Sequence, residues 1–367
     1  MKASRLAGLA LLAVSLAGWW VDRPLFFAAW LAAWWWCLGI VLGAFVNAWM
    51  QRLSGGAWGR AVQPVAAMLG PRLPWVLLLF VPLLAGLPAL YPWVGNADAA
   101  TAGLARPAFA RAWFDPRFFA VRLAGYALVW WWLARAGSRR SAGRSAASLL
   151  VYTIVTSLAA FDLMMSLMPR WYSTGFGLVV LSNQALAGSA FAALCAPPPG
   201  ADLPPPPGDQ RPPLSRDIGN LMLMWTMTWA YLAFMQFLII WAENLPREIA
   251  WYVPRLQTGW REVGLALVGA QLAVPFLALL FRSVKDRPAR LRAVAALLLA
   301  SSALDVVWTV LPSVAPHSLH GWWLVPLTAG GMALLLFGGL QRGSAPAGDR
   351  DAPEASAPNE ELGHASR

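Results

Sequence analysis

An aspartate inside an apolar run is the first residue of this chain that could do chemistry. It stands in Phe161-Asp162-Leu163-Met164-Met165-Ser166-Leu167-Met168-Pro169-Arg170-Trp171-Tyr172-Ser173-Thr174, where one apolar run ends at a Pro-Arg-Trp corner and another begins. A carboxylate at the centre of a membrane helix costs roughly 2.5–3.5 kcal/mol on insertion scales, and such residues mark ion pairs, proton paths or ligand sites. Three more ionisable residues fall within or at the ends of apolar runs: Arg122, Glu243 and Asp305. Pairing is the usual remedy for a charge in lipid. We therefore expect Arg122 to meet Asp162, or failing that Asp305. The cluster has two readings. One is a buried ion pair that only fixes helix register. The other is a set of carboxylates at one membrane depth that gain and lose protons. Tyr152, Ser157 and Ser166 share a helix with Asp162 and could extend such a path, although each also reads as an ordinary packing hydroxyl.

Metal chemistry has little to work with. Cys37 and Cys195 are the only cysteines, and an iron–sulfur cluster needs about four thiolates. The histidines are His317, His320 and His364, none of them inside an apolar run, so haem ligation by two histidines within a bilayer is not expected. His317 and His320 have a metal-like spacing but no third ligand beside them. Met164, Met165 and Met168, and again Met222, Met224 and Met227, offer soft thioethers. Methionine is also a common filler of apolar gaps. The phosphate-binding glycine loops and the hydrolase elbow are missing from the sequence.

The elements that must position these residues are membrane helices. Hydrophobic residues make up 59% of the 367 and charged residues only 12%, against about 25% charged in soluble domains. The formal charge of +11 would suggest nucleic acid in a soluble protein. Here the basic residues flank apolar runs, where membrane orientation accounts for them. The 23 tryptophans suit membrane interfaces and helix packing.

Ten runs approach the ~20 residues a bilayer requires: Leu6–Trp20, Leu25–Met50, Trp75–Trp93, Phe118–Ala136, Ala146–Leu167, Ser173–Leu194, Leu221–Trp241, Val263–Phe281, Ala293–Leu311 and Trp322–Leu340. The first follows Lys2 and Arg5 but leads straight into the next run, and reads as a retained helix rather than a signal peptide. The positive-inside rule then places both termini in the cytoplasm, because most Lys and Arg, including Arg52, Arg60, Arg72, Arg135, Arg139 and Arg140, fall on the inner side. In that topology Arg122, Asp162, Asp305 and Glu243 all lie in the outer half of the membrane. Residues 1–195 hold helices one to six, and 196–216 form a proline-rich cytoplasmic linker. Residues 217–342 hold helices seven to ten, and 343–367 read as a disordered tail. The outer loop Val94–Arg117 has the composition of an interfacial helix, and Gly269 with Pro275 hints at a broken eighth helix.

Two stretches carry a resemblance. Ser157–Thr174, and Asp217–Leu221 followed by Trp229–Tyr252, resemble the polysulfide-reductase-type (NrfD/PsrC) membrane subunits of quinol oxidoreductases. The closer likeness is to the ActF type of bacterial alternative complex III. The resemblance implies two four-helix bundles, helices two to five and six to nine, with the first and last helices peripheral. It implies a subunit without its own cofactor, in a bacterial cytoplasmic membrane, supporting oxidation of menaquinol or ubiquinol with proposed proton paths. The implied partners are a sister NrfD-like subunit, an extracytoplasmic iron–sulfur protein and multihaem cytochrome c subunits. Asp162 stands at the family's aspartate, and Asp162, Asp305, Glu243, Arg122, Tyr152 and Ser166 become the candidates for a proton path or quinol site. At the outer corner, Met168-Pro169-Arg170 before Trp171 replaces the family's Asp-Pro-His, which removes two titratable groups. Two other readings are a purely structural anchor for peripheral redox proteins and a free-standing transporter.

Overall fold

The computed structural model describes residues 2–101, 104, 106–135, 141–195, 214–316 and 321–340. The proline-rich stretch 196–213, the three histidines and the tail lie outside the described residues. All regular structure among the described residues is helical: α1 (Lys2–Ser15), α2 (Arg23–Ser54), α3 (Gly59–Leu78), α4 (Val81–Leu90), α5 (Pro116–Arg135), α6 (Ala142–Leu163), α7 (Phe176–Cys195), α8 (Leu214–Glu243), α9 (Trp260–Leu280), α10 (Pro288–Val314) and α11 (Leu324–Phe337). Seven helices are long and apolar enough to cross a membrane, or eight if the bent pair α3–α4 is one span. The chain is a multi-pass, all-α membrane protein.

Of the ten expected spans, two fall short of that measure. α5 has 20 residues but carries Arg122 and a tryptophan triplet, and α11 has only 14 residues. The first run is also interrupted, since α1 stops at Ser15 and a single turn, Gly18–Val21, follows. Helix α8 begins at Leu214, inside the segment expected to be linker. The loop between α4 and α5 contains two short helices, Ala97–Thr101 and Pro107–Trp113.

Helix α2 organises the molecule. Asp22 caps its start by accepting from the Leu25 amide at 3.0 Å, Pro24 occupies the first turn, and Gly55 ends it at φ 72°. The helix is apolar all round and buried along nearly its whole length, the mark of a central rather than a lipid-facing helix. It packs most extensively on α7, which is also largely buried, and both touch α10. The two central helices meet at glycines. A Cβ on Gly43 would collide with the backbone carbonyl of Gln184, and one on Gly188 with the backbone of Gly43. Small residues let membrane helices approach this closely. Asn47 locks the crossing by donating to Gly43 O and Ala185 O, both at 2.9 Å. Helices α1 and α11 pair with each other at the side, with Gly8 against the α11 backbone.

Much of the tryptophan content has a backbone explanation. The α3–α4 span bends by 50°. Pro82 has no N–H, and around the bend the Phe80 and Leu83 amides turn to Leu77 O and Phe80 O, which releases the carbonyls of Val76 and Leu79 from the α-helical pattern. Trp34 and Trp30 of α2 supply the missing donors, at 2.7 and 2.9 Å. Lipid offers no water to satisfy such groups, so a neighbouring helix must. Indoles elsewhere do similar service: Trp93 donates to Ser166 O at 3.2 Å, Trp36 to the Ser302 hydroxyl at 3.0 Å and Trp225 to Asn47 at 2.8 Å.

The suspected break in the eighth helix is not one. Residues Val268–Ala273 form a π-turn inside α9, directly before Pro275, and the helix runs on. The sharp bend lies instead at residues 79–80.

Candidate functional site

The Asp162 carboxylate lies between α5 and α6 and is fully engaged. Arg122 donates to it through Nε at 2.7 Å and Nη2 at 3.0 Å, a two-pronged contact, and the Tyr126 hydroxyl donates at 2.8 Å. The side chains of Arg122 and Asp162 are 9% and 1% exposed, so the pair is interior. Trp113 and Phe118 cover the guanidinium, with ring centres 4.1 and 4.5 Å from its carbon. Only Nη1 of Arg122 is left without a partner. A two-pronged guanidinium–carboxylate pair is strong and directional. Three of the carboxylate's roughly four acceptor positions are thereby taken, two of them by a cation.

The other residues expected around Asp162 do not form a path from it. The Ser166 hydroxyl donates to the backbone carbonyl of Asp162, not to its carboxylate. Tyr152 is buried in another part of the interior and donates to Gln184 at 2.7 Å. Glu243 is exposed at the end of α8. Arg170 is exposed as well.

Asp305 has a different setting. It is buried on α10, and among the described residues its carboxylate has no ion-pair partner. The indole nitrogen of Trp229 on α8 approaches the carboxyl group without meeting hydrogen-bond geometry. Nearby elements supply further unmatched polar atoms. Thr226, one turn from Trp229, has an unpartnered buried hydroxyl, and so does the carbonyl oxygen of Gln271 in the π-turn. Gln271 donates through its nitrogen to Asn183 on α7 at 3.3 Å, and Asn183 donates to Ser302 O on α10 at 3.1 Å. This chain joins α7, α9 and α10 through side chains that are all buried. An orphaned buried polar group costs about 1–3 kcal/mol. The unpartnered Trp229 indole beside the Asp305 carboxyl group fits a place where water or a hydroxyl-bearing ligand completes the bonding. A π-turn inside a membrane helix is a frequent companion of such places.

Sequence reasoning missed the strongest buried cation. Arg255, which stands between two apolar runs of the sequence, is fully buried in the short helix Val253–Leu256. Its Nε donates to Trp308 O at 3.1 Å, Nη1 to Trp251 O at 2.6 Å, and Nη2 to Thr309 O at 2.5 Å and the Ser313 hydroxyl at 2.8 Å. Pro312 lies inside α10 and cannot donate to the carbonyl four residues back, which is Trp308 O. Arg255 fills that gap from another segment. Burial pulls its pKa down from the ordinary arginine range. The guanidinium also lies over the ring of Trp251 at 3.3 Å, and Trp251 stacks on Trp171 at 4.3 Å. Trp171 in turn donates to Glu248 O at 2.9 Å. The Pro169–Trp171 corner is therefore a clamp that ties the α6–α7 connection to the segment after α8. Pro312 was a visible signal for a missing donor; its partner more than fifty residues away was not. Arg255→Lys keeps the charge but not the fork of donors. It should destabilise the purified chain by about 2–3 kcal/mol, read from denaturant unfolding followed by tryptophan fluorescence. Unchanged stability would show that the Pro312 gap needs no filling.

Metal-binding groups of three or more His, Cys, Asp or Glu side chains do not occur among the described residues. In comparisons with known proteins, no family model matches the chain and no curated protein matches it.

Proposed function

We propose that the chain is a cofactor-free membrane subunit of a quinol oxidoreductase complex in a bacterial cytoplasmic membrane, with ten spans and both termini inside. Quinol is the substrate of the complex, and the haem and iron–sulfur clusters belong to partner subunits: multihaem cytochromes c, an extracytoplasmic iron–sulfur protein and a sister membrane subunit. In this reading α2 to α6 make one four-helix bundle and α7 to α10 the other, with α1 and α11 at the side. The pairing of α1 with α11 supports their place at the side, and α2 on α7 is the seam between the two bundles. The resemblance of Ser157–Thr174 and Trp229–Tyr252 supports it too, since the Trp171–Trp251 stack brings these two stretches together.

The observation that carries the reading is the contrast between the two carboxylates. Oxidising a quinol releases protons, and a membrane subunit that handles them needs an acceptor able to change protonation state. Asp162, bound by three donors, is a poor acceptor. Asp305, with no cation beside it among the described residues and with the unmatched Trp229 indole at its carboxyl group, has the right surroundings. We assign Asp305, with Gln271, Trp229 and Thr226, to the proton or quinol side of the function. Arg122, Asp162, Tyr126 and the Arg170-Trp171 corner are assigned to architecture.

A second reading, a purely structural anchor, is favoured by that locked Asp162 pair and by the clamp at the corner. Purification of the tagged chain from its native membrane under mild detergent tests the main proposal. Haem absorbance and iron should co-migrate with it, together with larger partner chains. A colourless chain migrating alone would overturn both readings and favour a transporter.

A further inference from the structure

We infer that a cleft bounded by α2, α3 and α5, at their arginine-bearing end, binds the phosphate headgroup of an anionic lipid. The cleft encloses about 390 Å³. It arises where Gly70, Pro71 and Pro74 interrupt α3: the prolines cannot donate to the preceding turn, and the chain tightens into a 3-10 turn at Gly70–Arg72. Apolar and aromatic side chains, among them Phe45, Trp49 and Trp131, form its walls. Arg52 and Arg135 enter it, and no carboxylate among the described residues lines it.

Both guanidinium groups are positioned. Nε and Nη2 of Arg52 donate to Gln63 Oε1 at 3.3 and 2.7 Å. Gln63 is itself fixed by donating to Ala48 O at 2.8 Å and to Gln51 at 2.9 Å. Arg135 lies over the Trp131 ring at 4.3 Å, which holds its head at the cleft wall. An apolar slot ending in two arginines and lacking an acid matches an amphipathic anion: acyl chain along the aromatic wall, phosphate between the arginines. Neither arginine serves the Asp162 pair or the Asp305 cluster. Placing this end in the cytoplasmic leaflet rests on the proposed topology; the binding does not.

The test uses the delipidated full chain in detergent, titrated with phosphatidylglycerol or with phosphatidylcholine of the same acyl chains, with adducts counted by native mass spectrometry. Phosphatidylglycerol should be preferred and should persist in excess inorganic phosphate. Arg52→Gln and Arg135→Gln should each weaken it about fivefold, the effect of one basic residue near an anionic headgroup. Arg135→Lys should keep most of the affinity. Arg135 is exposed, so its variants carry the test even if the Arg52 variant does not fold. Equal binding of the two lipids, unchanged affinity in Arg135→Gln, or displacement by inorganic phosphate would each overturn the proposal. The outcome is independent of whether haem and iron co-purify.

Discussion

Asp162→Asn should lower the stability of the purified chain by about 3–5 kcal/mol, because it strands the Arg122 guanidinium in the interior without its counter-charge. Two of the three donors to Asp162 come from Arg122 and the third from Tyr126. An amide cannot match this arrangement, since its NH2 group would face those N–H donors. The rings of Trp113 and Phe118 cover the guanidinium. The double variant Arg122→Met with Asp162→Leu removes both charges and should recover most of the loss, as replaced buried pairs commonly do. Unfolding in denaturing detergent, followed by tryptophan fluorescence, gives both values. If Asp162→Asn were as stable as the parent, the pair would not be the lock described here. A loss of turnover in this variant alone would not show a role in proton transfer, because misfolding accounts for it.

Asp305→Asn should do the opposite: leave stability within about 1 kcal/mol and reduce quinol turnover of the assembled complex about a hundredfold, the low end of what a positioned proton acceptor contributes. No described cation is stranded by this change, and the amide oxygen can still accept from the unmatched Trp229 indole. The decisive measurement pairs thermal unfolding of the variant with steady-state quinol oxidation by the complex that contains it. Full turnover with an intact complex would reduce the subunit to the anchor reading. The two aspartates thus separate the hypotheses: one variant should fail in stability, the other in chemistry.

The sequence by itself determined the class of the protein and the position of most helices. These follow from one-dimensional features: the length of each apolar run, and the residues that flank it. The meeting of Arg122 with Asp162 was legible for the same reason, since two opposite charges at one depth on consecutive helices have a large incentive to pair. What depth cannot encode is the rotation of each helix about its axis. That rotation is decided by close packing, above all where Gly43 and Gly188 let α2 and α7 touch backbone to backbone. Only the folded chain could show that Tyr126 completes the Asp162 lock, that Tyr152 faces Gln184 and that Glu243 is exposed. The same holds for the tryptophans, whose burial could be guessed but whose carbonyl partners depend on a bend in another helix. Arg255 is the clearest case. It lies between apolar runs, yet Pro312 of α10 leaves a carbonyl without a donor inside an apolar medium, and the tertiary structure answers with the Arg255 guanidinium.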